Sequence, residues 1–179
     1  MRTVADMLRR TPPDRTEAAE YYFTYINQVD RDVDVCRILE DQLEQTVAAM
    51  RAIPDERSLH RYAPDKWSIR EVLNHLSDTE RVFAFRAFWF AHGFDSPLPS
   101  FDQDIAVTTS AADERSWASH IDEFRAVRGA TLTLFQNLPD DAWPRRGIAS
   151  GNTVSVRALA YISAGHVTHH LRILRERYL

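Results

Sequence analysis

The sequence has a single cysteine, few glycines and no long apolar run. The one cysteine, Cys36, excludes an intramolecular disulfide and any zinc or iron–sulfur site built from several cysteines. Since Cys36 falls in a predicted helix, we interpret it as a small buried apolar residue rather than a reactive thiol. The most apolar segment, residues 82–91, is too short to span a bilayer, which takes about 20 residues. The first residues also lack the apolar core of a signal peptide, so we expect a cytoplasmic protein with no membrane partner.

The sequence also lacks an excess of basic over acidic residues, with 22 Lys and Arg against 26 Asp and Glu. The formal net charge is −4, which gives no reason to expect nucleic acid as a partner. With 179 residues, of which 44% are hydrophobic and 27% charged, the chain has the size and composition of one globular domain.

The sequence does contain helical periodicity, interrupted at breaks that prolines mark. Apolar residues recur at steps of three and four in segments 32–52, 68–91 and about 117–134, and from 153 or 155 to the end. We predict an all-α four-helix bundle over residues 32–179, preceded by an N-terminal extension or strap over residues 1–31. The long connection between the second and third helices, residues 92–112, has the length of a binding element or lid.

The second helix has the clearest start signal. The segment SIRE, from Ser68 to Glu71, is a capping box, in which the serine side chain and the glutamate side chain each bond a free backbone amide. At the first helix, Asp30 or Asp32 is a candidate cap.

Three histidines occur within five residues of the last helix, in the segment HVTHH. His166 and His170 are four residues apart and share one side of the helix, on the border of its apolar stripe. His169 points away from that stripe, so we expect it to meet solvent. Two imidazoles with this spacing can present nitrogens to one point, as in zinc-binding helices, but the pair alone is weak evidence and needs a third ligand.

His75 is the best candidate for the third ligand. It lies on the second helix beside the apolar stripe, with Thr79 one turn further on. His120 is the alternative, and we interpret it as a histidine of the core. His60 and His92 fall in predicted loops, where we expect solvated side chains.

The chain resembles the DinB/YfiT-like superfamily of four-helix bundles from about residue 21 to its end. The segments that carry the similarity are YAPDKWSIREVLNHLSDTERVFAFRA (62–87), LPSFDQD (98–104) and ALAYISAGHVTHHLRIL (158–174). In that family, one histidine of the second helix and two histidines four apart in the last helix bind a divalent metal. The resemblance therefore implies that His75, His166 and His170 are metal ligands here.

Three neutral imidazoles would leave a divalent ion its positive charge and an open coordination position. Such an ion can activate water or a low-molecular-weight thiol, and both zinc and nickel suit imidazole. Asp78, Arg86 and His169 are candidates for contacts around the ligands or in a substrate pocket. Two interpretations of Arg86 stay open, as a binder of an anionic substrate or as a member of a buried ion pair.

Other acidic residues lie close enough in sequence to be considered. Glu80 follows His75 on the same helix, and Asp102 and Asp104 sit in the long connection, from which they could fold over the pocket. We interpret each of them first as a solvated charge or as a member of an ion pair on a helix surface. No residue beyond the ligands is assigned a catalytic role.

The resemblance implies an enzyme class only loosely, since some relatives look like metal-dependent hydrolases and others transfer a thiol to a small electrophile or isomerise a thiol adduct. Our first hypothesis is a metalloenzyme that activates water or a thiol for attack on a small-molecule substrate. The alternative is a non-catalytic, stress-related metal-binding bundle.

We also expect a homodimer, because the second helix carries more aromatic residues than one core can use: Phe83, Phe85, Phe88, Trp89 and Phe90.

Overall fold

The computed structural model describes residues 4–179, so the first three residues of the predicted strap lie outside it. The described chain contains seven α-helices: α1 (Val4–Leu8), α2 (Phe23–Ile26), α3 (Val35–Arg51), α4 (Ile69–Ala91), α5 (Gln103–Thr109), α6 (Trp117–Gln136) and α7 (Val156–Ile173). A two-stranded antiparallel hairpin, β1 (Arg146–Ala149) and β2 (Asn152–Ser155), precedes α7. No helix of residues 4–179 has the length and apolar character needed to cross a membrane.

The four long helices α3, α4, α6 and α7 form a bundle, which confirms the predicted fold class. Helices α3 and α4 each pack against both α6 and α7. The short helix α2 lies on α7, and α5, within the long connection, lies on α4.

Side-chain caps decide where the long helices begin. The predicted capping box is confirmed: the amide of Glu71 donates to Ser68 Oγ at 3.0 Å, and the amide of Ser68 donates to Glu71 Oε2 at 2.7 Å. The predicted cap of the first helix is wrong. Asp34, rather than Asp30 or Asp32, accepts the amide of Cys36 at 2.9 Å, and α3 therefore starts three residues later than expected.

The core consists of two apolar clusters with a polar layer between them. One cluster contains the second half of α4 and the first half of α7, and the other contains the first half of α4 and the second half of α7. Between them, Arg128 on α6 forms a fully buried ion pair with Glu80 on α4, with Nε and Oε1 2.7 Å apart. Gln42 on α3 accepts from Arg128 at 3.0 Å and donates to the carbonyl of Ala164 at 2.9 Å. This layer links all four long helices.

The segment before α3 is held on α7 by polar bonds and by close backbone packing. Glu17 is buried and pairs with Arg157, and it also accepts from Ser155 Oγ at 2.8 Å. The backbone of Tyr25 lies against Gly165, where an added Cβ would come within 2.1 Å of the Tyr25 carbonyl oxygen. Only glycine allows α2 to approach α7 this closely.

The hairpin was not predicted from the sequence. Strands β1 and β2 are joined by a two-residue turn, Ser150 and Gly151, whose φ angles of 53° and 74° are both positive. Positive φ at both central residues matches the right-handed twist of a hairpin. The structure therefore assigns residues 152–155, near the predicted start of the last helix, to a strand, and α7 begins at Val156.

Replacing Glu17 with glutamine is expected to lower the free energy of unfolding by about 3 kcal/mol at pH 7, because Arg157 would stay buried without a counter-charge. Burial raises the pKa of Glu17, but the bonds from Arg157, the Asp14 backbone and Ser155 outweigh burial and leave the pKa below its ordinary 4.5. The stabilisation by Glu17 is therefore present above pH 4.5 and is lost as the pH falls through the lowered pKa.

Urea denaturation at a series of pH values measures this effect, with Glu20→Gln as the matched control. Glu20 pairs with Arg15 at the surface, and exposed pairs contribute little. Equal stability of the Glu17→Gln variant and the wild type at pH 7 would contradict the assignment.

Replacing Gly165 with alanine is expected to lower the free energy of unfolding by about 1–3 kcal/mol, because the new methyl group collides with backbone that has to move. The matched control is Gly129→Ala on α6, where the added Cβ has no heavy atom within 4 Å apart from its chain neighbours and the nearby backbone of its own helix. That change should stabilise the protein by up to about 1 kcal/mol through helix propensity. Denaturation curves of both variants test the contrast, and a stabilised Gly165→Ala variant would disprove the close approach.

Candidate metal centre

Three histidine side chains converge between α4 and α7. His75 comes from α4, and His166 and His170 come from α7. One ring nitrogen from each residue lies within 4.8 Å of the other two, and the ring centroids form a nearly equilateral triangle with sides of 5.0, 4.9 and 4.6 Å. The predicted ligands are therefore close neighbours in the fold.

Hydrogen bonds orient the ring of His75. The hydroxyl of Thr79 donates to the backbone carbonyl of His75 at 2.7 Å, and its oxygen lies 3.3 Å from His75 Nδ1. Because the hydroxyl proton is used by the carbonyl, the oxygen is free to accept from Nδ1–H. This tautomer leaves a lone pair on Nε2, which lies 3.1 Å from Nε2 of His166.

Burial keeps the three rings neutral. It lowers the pKa of His75 to about 4 and, together with the nearby His75 and His169, the pKa of His170 to about 3. Burial also lowers the pKa of His166 well below its ordinary value, and the neighbouring imidazoles lower it further. At neutral pH the site therefore offers three uncharged nitrogen donors.

This donor set fits a divalent ion. Zinc–imidazole bonds of about 2.0–2.1 Å place the ligand nitrogens of a tetrahedral site about 3.4 Å apart, so the observed group needs only modest side-chain rotation to close around an ion. No Asp or Glu of residues 4–179 hydrogen-bonds to any of the three rings. The ligands that would hold the ion are thus all imidazoles, which suit zinc or nickel.

The other candidate residues lie around the cluster in different ways. The carboxylate of Asp78 accepts from Asn74 at 2.7 Å and pairs with Arg81 at 3.0 Å, so its bonds go to side chains outside the cluster. His169 is half-buried and packs edge-on against Tyr25, with ring centroids 5.3 Å apart.

The alternative histidines and acids lie apart from the cluster. Nε2 of His120 is 2.8 Å from the carbonyl of Ala112, and His92 packs against Phe88. Asp102 caps α5 by accepting the amides at positions 104 and 105, and Glu80 belongs to the ion pair with Arg128.

Two contacts of the cluster were missed by sequence reasoning. Thr79 was noted only as a neighbour, although a hydroxyl one turn after a histidine is placed to reach its ring. Tyr25 packs edge-on against His166, with centroids 5.1 Å apart, and it comes from a segment whose position on α7 has no local sequence signal.

Two pockets flank the histidines. A pocket of about 160 Å³ adjoins His166, and its other residues are Tyr21, Tyr22, Tyr25, Thr79, Val82, Phe83, Arg86, Phe101, Gln103 and Ser150. A second pocket, of about 280 Å³, adjoins His170, and its other residues are Tyr62, Asp65, Lys66, Trp67, Val72, Ile173 and Tyr178. A small molecule in either pocket would lie beside one of the three converging histidines.

Comparison with known proteins agrees with this architecture. The chain is similar to a solved structure described as "YfiT from Bacillus subtilis is a probable metal-dependent hydrolase with an unusual four-helix bundle topology", with a TM-score of 0.70 and 15% identity over 92% of this chain and 89% of that chain. At that identity the likeness shows the fold alone. No curated protein matches the sequence. The family model of the DinB superfamily matches residues 38–174, well over half of the chain, and the protein therefore belongs to the DinB superfamily.

Proposed function

We propose that this protein is a metal-dependent enzyme that binds zinc or nickel through His75, His166 and His170 and acts on a small molecule in an adjoining pocket. The observation that supports the proposal is the convergence of three neutral imidazoles, two buried and one half-buried, beside two pockets. A structural ion would be expected to have its coordination closed by a fourth protein ligand.

A divalent ion at this site would lower the pKa of a bound water or thiol and so supply a nucleophile at neutral pH. The protein's own residues orient the ligands and exclude bulk water. Thr79 fixes the tautomer of His75, while the rings of Tyr25 and Phe83 pack edge-on against His166. We favour hydrolysis, in line with the description of the similar YfiT structure, with transfer of a low-molecular-weight thiol to an electrophile as the second reaction type.

The alternative function is a non-catalytic metal-binding bundle. It is favoured by one observation, that no aspartate or glutamate of residues 4–179 lines the pocket beside His166, where a general acid or base would be expected. The flanking pockets count against it, because they give a substrate access to the ion.

We propose that the protein acts as a homodimer in the cytoplasm, the compartment inferred from the sequence. Of the aromatic side chains on α4, Phe83 and Phe90 are buried in the core, whereas Phe85 and Phe88 are 51% and 41% exposed. These two line an open apolar groove between α4 and α6. Burial of this groove against a second copy would remove apolar surface from water.

Metal binding should depend on the three ligands and not on a distant histidine. We expect about one zinc ion per chain in the wild type and an affinity at least about 100-fold lower in His75→Ala, since a lost ligand should cost at least as much as a lost contact to a ligand. Thr79→Val, which keeps the shape and removes the hydroxyl, should weaken binding by about 10–100-fold. Elemental analysis and competition with a chromophoric chelator measure both, and unchanged affinity in His75→Ala would contradict the site.

His92→Ala is the matched control and should keep wild-type affinity, because His92 packs against Phe88 and lies outside the converging group. Activity is then screened on small esters and amides, and on small electrophiles with low-molecular-weight thiols. Metal removal should abolish the activity that is found. Equal rates in the metal-free and metal-loaded proteins would refute the metal-dependent mechanism, whereas metal binding without any activity would favour the non-catalytic alternative.

The dimer proposal predicts a mass in solution of twice 20.7 kDa, measured by light scattering. Phe88→Glu should yield single chains, because it places a charge in the apolar groove. Ile105→Glu is the control, since this exposed apolar residue lies on α5, outside the groove. A wild-type mass of one chain would disprove the dimer.

A further inference from the structure

Four arginines are buried in the protein, and one of them differs from the rest. Arg70, Arg128 and Arg157 each form an ion pair with a carboxylate, from Asp55, Glu80 and Glu17 respectively. Arg86 is only 4% exposed, yet it has no carboxylate partner within residues 4–179. A guanidinium stays charged in proteins, so this is a buried cation without a counter-charge.

Neutral oxygens hold Arg86 in place without cancelling its charge. Nη2 donates to the carbonyl of Pro99 at 3.0 Å and to Ser150 Oγ at 2.9 Å, and Nη1 donates to the hydroxyl of Tyr22 at 3.4 Å. Pro99 lies in the long connection and Ser150 in the turn of the hairpin. Two non-helical segments of the fold therefore meet at this side chain.

Arg86 lines the same pocket as the metal ligand His166. A continuous series of contacts connects them: the ring of Phe83 packs edge-on against His166, Tyr22 packs edge-on against Phe83, and the Tyr22 hydroxyl accepts from Arg86. The α4 side of the pocket is formed by residues on successive turns, from Thr79 to Arg86. The pocket thus extends from the histidine cluster to the guanidinium.

We propose that Arg86 binds the carboxylate of a small substrate whose reactive end lies at the histidine cluster. The identity of the reactive end rests on the proposed metal-dependent function, whereas the anion site itself does not. A carboxylate would supply the negative charge that no side chain of residues 4–179 places beside Arg86. Its two oxygens can also accept two parallel hydrogen bonds from the planar guanidinium.

The pocket restricts the ligand to a short molecule with one negative charge. Its volume of about 160 Å³ is below the usual range of about 300–1,000 Å³ for ligand pockets. Arg86 is the only Lys or Arg among its lining residues, so a second negative charge would find no basic side chain there. The amide of Gln103 and the hydroxyl of Ser150 are further neutral donors on its wall.

Butyrate and its neutral analogue butyramide test the proposal, because they have nearly the same shape and differ in charge. Binding is measured by NMR titration in both zinc-loaded and zinc-free protein, which separates Arg86 from the metal as the site of the carboxylate. We expect the wild type to prefer butyrate by about tenfold or more in both forms, as a charged hydrogen-bonded pair requires. Arg86→Met should abolish the preference while leaving zinc affinity unchanged.

Ser150→Asp is a second variant that does not remove the arginine. It places a carboxylate beside the guanidinium, at a positive-φ position that aspartate tolerates, and it should abolish the butyrate preference without lowering the melting temperature. Arg37→Met, at an exposed arginine of α3, is the control for the change in net charge and should bind as the wild type does.

Equal binding of butyrate and butyramide by the wild type, or binding of neither, would overturn the proposal. The proposal would also be overturned if the preference for butyrate were lost in the zinc-free protein but kept in the Arg86→Met variant. The carboxylate would then lie on the metal. Failure of the chain to bind either zinc or nickel would instead refute the proposed function, and the metal-free titrations would still decide the role of Arg86.

Discussion

The packing of the four long helices depends on polar side chains that are buried between two apolar clusters and bond to one another inside the protein. Arg128 takes the carboxylate of Glu80, and Gln42 bonds both that arginine and the backbone of α7. The three imidazoles of the cluster pack mainly against one another and against aromatic rings. One ring nitrogen of each lies within 4.8 Å of the other two, an arrangement that could hold a shared cation.

Close packing of the N-terminal segment completes this environment. Since Gly165 has no side chain, the backbone of Tyr25 rests directly on α7, next to His166. Without this cover His166 would meet water at neutral pH, its pKa would lie closer to the ordinary value, and protons would compete with a metal ion for its nitrogen. The glycine thus acts on the surroundings of His166 through packing, although it has no side chain of its own.

Local signals in the sequence predicted the bundle and the histidine pair of the last helix. The SIRE capping box fixed the start of α4, and the four-residue spacing of His166 and His170 placed both rings on one side of α7. The assignment of His75 as their partner came from the family resemblance as much as from its position on the helix. The hairpin was missed because Ser150 and Gly151 resemble any loop until their φ angles are known. Whether Arg86 had a carboxylate partner could not be predicted, because its contacts come from residues 13 and 64 positions away.

The charges of the two flanking pockets make them unequal as substrate sites. In the pocket beside His170, Lys66 is paired with Asp65 at 2.8 Å, so the two charges largely cancel. The pocket beside His166 contains a buried arginine and no acidic residue, and a metal ion would add further positive charge at its other end. A cationic molecule is therefore disfavoured there even though the whole chain carries a net charge of −4. The field inside a pocket is set by the few charges that line it, so the overall charge of the protein is a poor guide to its ligand.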